Sequence, residues 1–133
     1  MVADFCEFAL DTRFMPGMND AEIIRQIKNI VKTETTNFKF LIDDLQQPYE
    51  IESDHSFVKT YLETARRMGI KATLKGSNGA TVITFFKKYG IAAFATGFGS
   101  RGTAHTTDEY AEVEKLYKGA RLLQRFIEAY DRE

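Results

Sequence analysis

Residues 4–14 read DFCEFALDTRF. Cys6, Phe8, Leu10, Thr12 and Phe14 fall on one side of a period-two alternation, with Glu7, Asp11 and Arg13 on the other. A helix cannot gather such a set on one face, so the stretch predicts a half-buried strand. A strand cannot pair its own backbone groups, so this reading commits the chain to a sheet. NFKFLID, with Phe38, Phe40 and Ile42 sharing a face, predicts a second strand. Between the two, MPGMND carries turn chemistry. Ile23, Ile24, Ile27, Ile30 and Val31 then fall at helical spacing behind an Asn19 cap, with Glu22 placed to complete a capping box. Residues 1–47 therefore predict a β-α-β piece.

Beyond the connector QQPYEIES, Ser53 is the expected cap of a helix carrying Phe57, Val58, Tyr61, Leu62, Ala65 and Met68. Gly69 is its expected terminator. IKATL predicts a short strand, KGSNGA a loop, and ATVITFFKKY a helix ending at Gly90. IAAFAT, continuously apolar, predicts a strand buried on both faces. The last stretch predicts a long helix with an apolar stripe of Val113, Leu116, Tyr117, Ala120, Leu123, Phe126, Ile127 and Tyr130. The expected fold class is α/β, or α+β overall: the β-α-β piece at 1–47, then at 48–133 an α/β lobe with short parallel strands and a long C-terminal helix.

The chain has 133 residues, 44% of them hydrophobic, including 11 Phe and 6 Tyr. That composition suits a globular core without Trp. A net charge of −1 and the lack of a basic block argue against a nucleic-acid partner. No apolar run reaches the roughly 18 residues of a membrane span, and MVADFCEF lacks the regions of a signal peptide. The single Cys6 cannot form an internal disulfide and is expected to be a small buried hydrophobe. A cytoplasmic setting is the corresponding expectation.

GFGSRGTAHTTDEY, Gly97–Tyr110, opens with the glycine spacing of a dinucleotide-binding loop. Such a loop must run directly into a helix whose N-terminus faces the pyrophosphate. Here the helical stripe begins only at Val113, and no β-α-β unit follows, so the dinucleotide reading falls. Gly76, Ser77, Asn78 and Gly79 precede an expected helix and read either as a turn with a cap or as a ligand-facing loop. A zinc centre needs three or four protein ligands. The chain has two histidines: His55, at a helix start, reads as a solvated first-turn residue. His105 follows a strand end, where α/β folds place ligands. It reads as a metal ligand or as a cap of the next helix. Asp108 and Glu109 could bond its second ring nitrogen or favour the helix dipole. Neither G-x-S-x-G nor H-E-x-x-H occurs.

GIAAFATGFGSRGTAHTTDEYAEVEKLYKGARLLQRFI resembles the C-terminal end of the zinc-dependent aminoacylase/peptidase family, which includes acetylornithine deacetylase, succinyl-diaminopimelate desuccinylase, peptidase T and carboxypeptidase G. VADFCEFALDTRFMPGMNDAEIIRQI is similar to that family's lid segment, and PYEIESDHSFVKTYLETARRMG to the return into its catalytic domain. The resemblance implies a two-zinc amide hydrolase acting on N-acyl amino acids or short peptides, with self-association through lid-like strands. It implies that His105 is a metal ligand and that Arg13 binds a substrate carboxylate. It also implies that Gly76, Ser77, Asn78, Gly79, Gly97 and Gly99 line the substrate site. Val82 stands where the family places Asp. The remaining ligands and the general-base Glu belong to the family's N-terminal half, whose His-x-Asp and Glu-Glu motifs this chain lacks. It therefore carries no catalytic residue, and the expectation is a C-terminal fragment, inactive alone. A freestanding interaction module is the alternative, and a small-ligand domain using the two glycine loops is a third.

Overall fold

The computed structural model describes residues 3–77, 81–100 and 102–132. They form four helices: α1 (Asp20–Glu34), α2 (Ser56–Arg67), α3 (Ile83–Lys88) and α4 (Val113–Tyr130). Among the described residues there is no strand. The expected α/β class, with its β-α-β piece and short parallel strands, is thereby corrected. Backbone bonds outside the helices include local turn and cap bonds, such as Met18 N–H to Met15 O and His55 N–H to Glu52 O. Among the described residues no ladder joins the alternating segments. Alternation specifies which face of a segment should be covered but not what pairs its edges, and a strand exists only as part of a ladder.

The chain divides into two compact units, 1–49 with 77–80 and 50–76 with 81–133. In the first, Asn19 Oδ1 accepts the Glu22 N–H at 3.1 Å, the expected cap. The return half of the capping box is absent, because the Glu22 carboxylate bonds Arg25 and Gln26 instead. Lys28 lies over the Phe40 ring, 4.8 Å from its centroid, and Gln47 donates to Asp20 at 3.0 Å. No described residue of this unit is buried. Phe5, Phe8 and Leu10 are 75%, 66% and 61% exposed. Cys6, expected inside, is exposed as well.

The second unit holds the core. Tyr61 and Ala65 of α2 pack on Leu122 and Phe126 of α4, joined by Phe57, Leu62, Met68, Ile70, Ala72, Phe94 and Phe98. Phe57 stacks at tilted or edge geometry within 5.0 Å of Phe94, Phe126 and Tyr130. Tyr61 meets Phe94 and Phe126 edge-on. Such ring pairs add to the burial of the rings themselves, roughly 0.5–1.5 kcal/mol each. The Tyr61 hydroxyl shares a 2.7 Å hydrogen bond with Thr96, which satisfies it where it enters the core.

The ends of α2 show why it stops where it does. His55, not the expected Ser53, is the N-cap, its Nδ1 accepting the Phe57 N–H at 3.1 Å. Gly69 takes φ +67, and the Gly69 and Ile70 N–H groups bond back to Arg66 and Ala65 carbonyls. This is the Schellman arrangement, with Ile70 delivered onto the core. Gly90 (φ +66) ends α3 in the same way. IAAFAT is a non-helical crossing rather than a buried strand: Ala93 is buried and Phe94 reaches the core, while Ile91 is 50% exposed. Among the described residues no helix is long and apolar enough to cross a membrane.

The stripe expected to bury α4 is largely not the one that does. Gly119, Leu122 and Phe126 are its buried residues, whereas Val113, Tyr117 and Ile127 are each more than 60% exposed. Of the expected stripe only Phe126 is buried. Sequence spacing identifies an apolar arc, but α2 covers only one edge of it.

On the solvent face of α2, Arg66 and Arg67 both bond the Glu63 carboxylate, at 2.7–2.8 Å. Their bonds hold its pKa down from the ordinary 4.5 to about 2. A carboxylate depressed by folding contributes stability above its unfolded pKa and loses it as pH falls through the folded one. The window is thus about pH 4.5 to 2. A carboxyl-carbon NMR titration should place Glu63 at the low end of that window, and replacing both arginines by alanine should move its midpoint back towards 4.5. An unchanged midpoint would contradict the pairing.

Candidate functional site

The residues with the most chemical potential lie on the loop between Phe94 and α4, and its construction begins at a glycine in the helix. Gly119 sits inside α4 and is buried, a position where glycine costs about 1 kcal/mol relative to alanine. A Cβ built there would overlap the Phe98 ring. The missing side chain leaves a notch, and Phe98, flanked by Gly97 and Gly99, fills it while reaching the core.

The loop is tied again just beyond. Buried Ser100 accepts the Glu112 N–H and donates to the Glu112 carboxylate, both at 3.2 Å. One hydroxyl therefore joins the start of the loop to the N-cap of α4. Lys115 pairs with the same carboxylate. Its bond, aided by that of Ser100, lowers the Glu112 pKa and keeps it charged. Within the loop, Thr103 Oγ1 lies 2.9 Å from the Ser100 carbonyl and 3.1 Å from that of Tyr110. Thr106 Oγ1 donates to the Thr103 carbonyl at 2.7 Å.

His105 sits on this frame, exposed. Its φ is +61, the only positive value at a non-glycine among the described residues. Left-handed backbone costs an ordinary residue roughly 1–2 kcal/mol, and such positions concentrate at functional sites. The His105 N–H donates to Glu109 Oε2 at 3.2 Å. Glu109 thus bonds the histidine's backbone, a use that the ring-nitrogen and helix-dipole readings both missed. Gly102 (φ +80) is the loop's one glycine that needs its freedom; a Cβ at Gly97 or Gly99 would meet nothing within 4 Å.

Of the other expected site residues, Gly97 and Gly99 lie on this same loop. Arg13 belongs to the first unit, where Asp11 pairs with it at 3.2 Å and both are exposed. Gly76 and Ser77 are exposed and outside any helix. Asn78 and Gly79 lie outside the described residues. Among the described residues no three His, Cys, Asp or Glu side chains cluster as a metal would need. They provide one candidate imidazole, and a complete metal centre does not fit them. Sequence reasoning missed Phe98, Ser100, Glu112 and Gly119. A glycine inside an otherwise strong helical pattern was the available signal for the last.

A model of Peptidase family M20/M25/M40 matches residues 15–129. No curated protein and no solved structure matches the chain. The family match spans most of the sequence, His105 and its loop included, and the chain belongs to that peptidase family. It is at the level of that family a hydrolase.

The Phe98 seat generates a prediction whose sign depends on the ring. Gly119→Ala gains about 1 kcal/mol of helix propensity but forces an overpacked contact of about 1–3 kcal/mol. It should lose about 1 kcal/mol net in denaturant unfolding. In a Phe98→Ala background the same change should instead stabilise by about 1 kcal/mol. The same sign in both backgrounds would contradict the seat.

Proposed function

We propose that this chain is the C-terminal part of a zinc-dependent hydrolase of amide bonds, acting on N-acyl amino acids or short peptides and inactive by itself. The carrying observation is His105, held left-handed on a loop tied to α4 at both ends, within the segment that matches the peptidase family. His105 donates one imidazole to a centre whose other ligands come from the rest of the enzyme. Zinc, when bound, supplies a polarised water; this chain's contribution is to hold the imidazole still. Arg13, braced by Asp11 and just ahead of the matched span, takes the substrate carboxylate. The family resemblance likewise assigns Gly76, Ser77, Asn78, Gly79, Gly97 and Gly99 to substrate binding.

The apolar surface supports a chain that is covered by something else. Phe5, Phe8 and Leu10 on one segment, and Val113, Tyr117 and Ile127 on α4, are each more than 60% exposed. Residues 1–47 act as a lid-like piece and 48–133 as part of the catalytic domain. The same exposed face of residues 4–14 favours a second reading, a non-catalytic module that associates through those segments.

One experiment separates the two. The chain is combined with the N-terminal catalytic segment of a peptidase of the same family, and zinc content and hydrolysis of N-acyl amino acids are measured. The hydrolase reading expects zinc and turnover only in the combination, with zinc content and activity both lost in His105→Ala. Ordinary enzymatic rates from the isolated chain, or no dependence on His105, would overturn it. The module reading expects no zinc and no turnover in any combination.

A further inference from the structure

We infer that Glu109 is a positioning residue, whose carboxylate holds the His105 backbone in the left-handed conformation and so sets the direction of the imidazole. The inference rests on the reading of His105 as a functional residue. A left-handed histidine on an exposed loop reverts to ordinary backbone unless something specific opposes it, because steric cost favours negative φ. The frame around His105 supplies one such contact at the residue itself. Thr106 Oγ1 donates to the Thr103 carbonyl and Thr103 Oγ1 lies against the Tyr110 carbonyl, and Ser100 closes the loop at Glu112. Among the described residues it is Glu109 that reaches the His105 N–H, at 3.2 Å. Turning His105 to negative φ redirects that N–H away from the carboxylate, so the bond and the conformation form together. A bond from a backbone N–H to a charged acceptor is among the stronger ones. The spacing of histidine and glutamate in HTTDE thus has a local meaning: the chain between them turns back far enough for the side chain of Glu109 to meet the amide of His105.

Glutamine keeps an acceptor oxygen at this position, and alanine removes it. The full chain, isotopically labelled, is compared as wild type, Glu109→Gln and Glu109→Ala. A positive φ gives a strong intraresidue amide–Hα NOE at His105, which wild type and Glu109→Gln should both show. Glu109→Ala should lose it, shift the His105 imidazole resonances and speed exchange of the His105 amide about ten-fold. The dispersion of the α2–α4 core signals should stay unchanged in all three. Retention of the NOE and of slow exchange in Glu109→Ala would overturn the inference. So would failure of Glu109→Gln to retain them. These readouts need no metal. If His105→Ala keeps its zinc in the combined enzyme, it is the ligand reading that fails, and the NOE result still decides the backbone claim.

Discussion

The candidate site depends on the seating of one ring on one bare stretch of helix. Phe98 occupies the space that a side chain at Gly119 would fill. That contact carries the core's order out to the loop. Leu122 and Phe126 of α4 are fixed against Tyr61 and Ala65 of α2. Burying two such side chains is worth about 1.5–3 kcal/mol each. Phe98 joins the same cluster, and Ser100, two residues on, locks to Glu112 at the start of the same helix. The loop that carries His105 therefore begins and ends on α4. Its position follows from helix packing rather than from its own sequence.

This ordering explains how backbone strain can persist on an exposed loop. A left-handed histidine costs free energy that an unanchored loop would release. Here the chain on either side is pinned, and Glu109 occupies the amide. The dinucleotide spacing in GFGSRG is incidental to this. Its first two glycines flank the anchoring ring, and only Gly102 uses a positive φ.

The helices were legible in the sequence because their signals are local. Asn19, Gly69 and Gly90 each act through neighbours a few residues away, and each sits where its chemistry places it. The strands were not, because alternation reports on a face and pairing requires a second segment. Residues 4–14 and 38–42 carry the pattern without the ladder. The face of α4 was misjudged for a related reason. The helix is apolar over more than one packing surface, and periodicity alone cannot say which surface α2 will use. At the site, His105 stood out by residue type and place. Ser100, Glu112 and Gly119 act through contacts across the loop, and only the mid-helix glycine left a trace in the sequence. The resemblance to the zinc-dependent aminoacylase/peptidase family agrees with the family to which the chain belongs.

The seat of Phe98 can be observed directly in solution. A ring packed on the Gly119 Cα should give NOEs from the Phe98 ring protons to both Gly119 Hα protons, with those protons moved away from random-coil positions by the ring current. Gly119 Hα signals at ordinary positions and without NOEs to Phe98 would contradict the account, because the loop that carries His105 would then have lost its anchor.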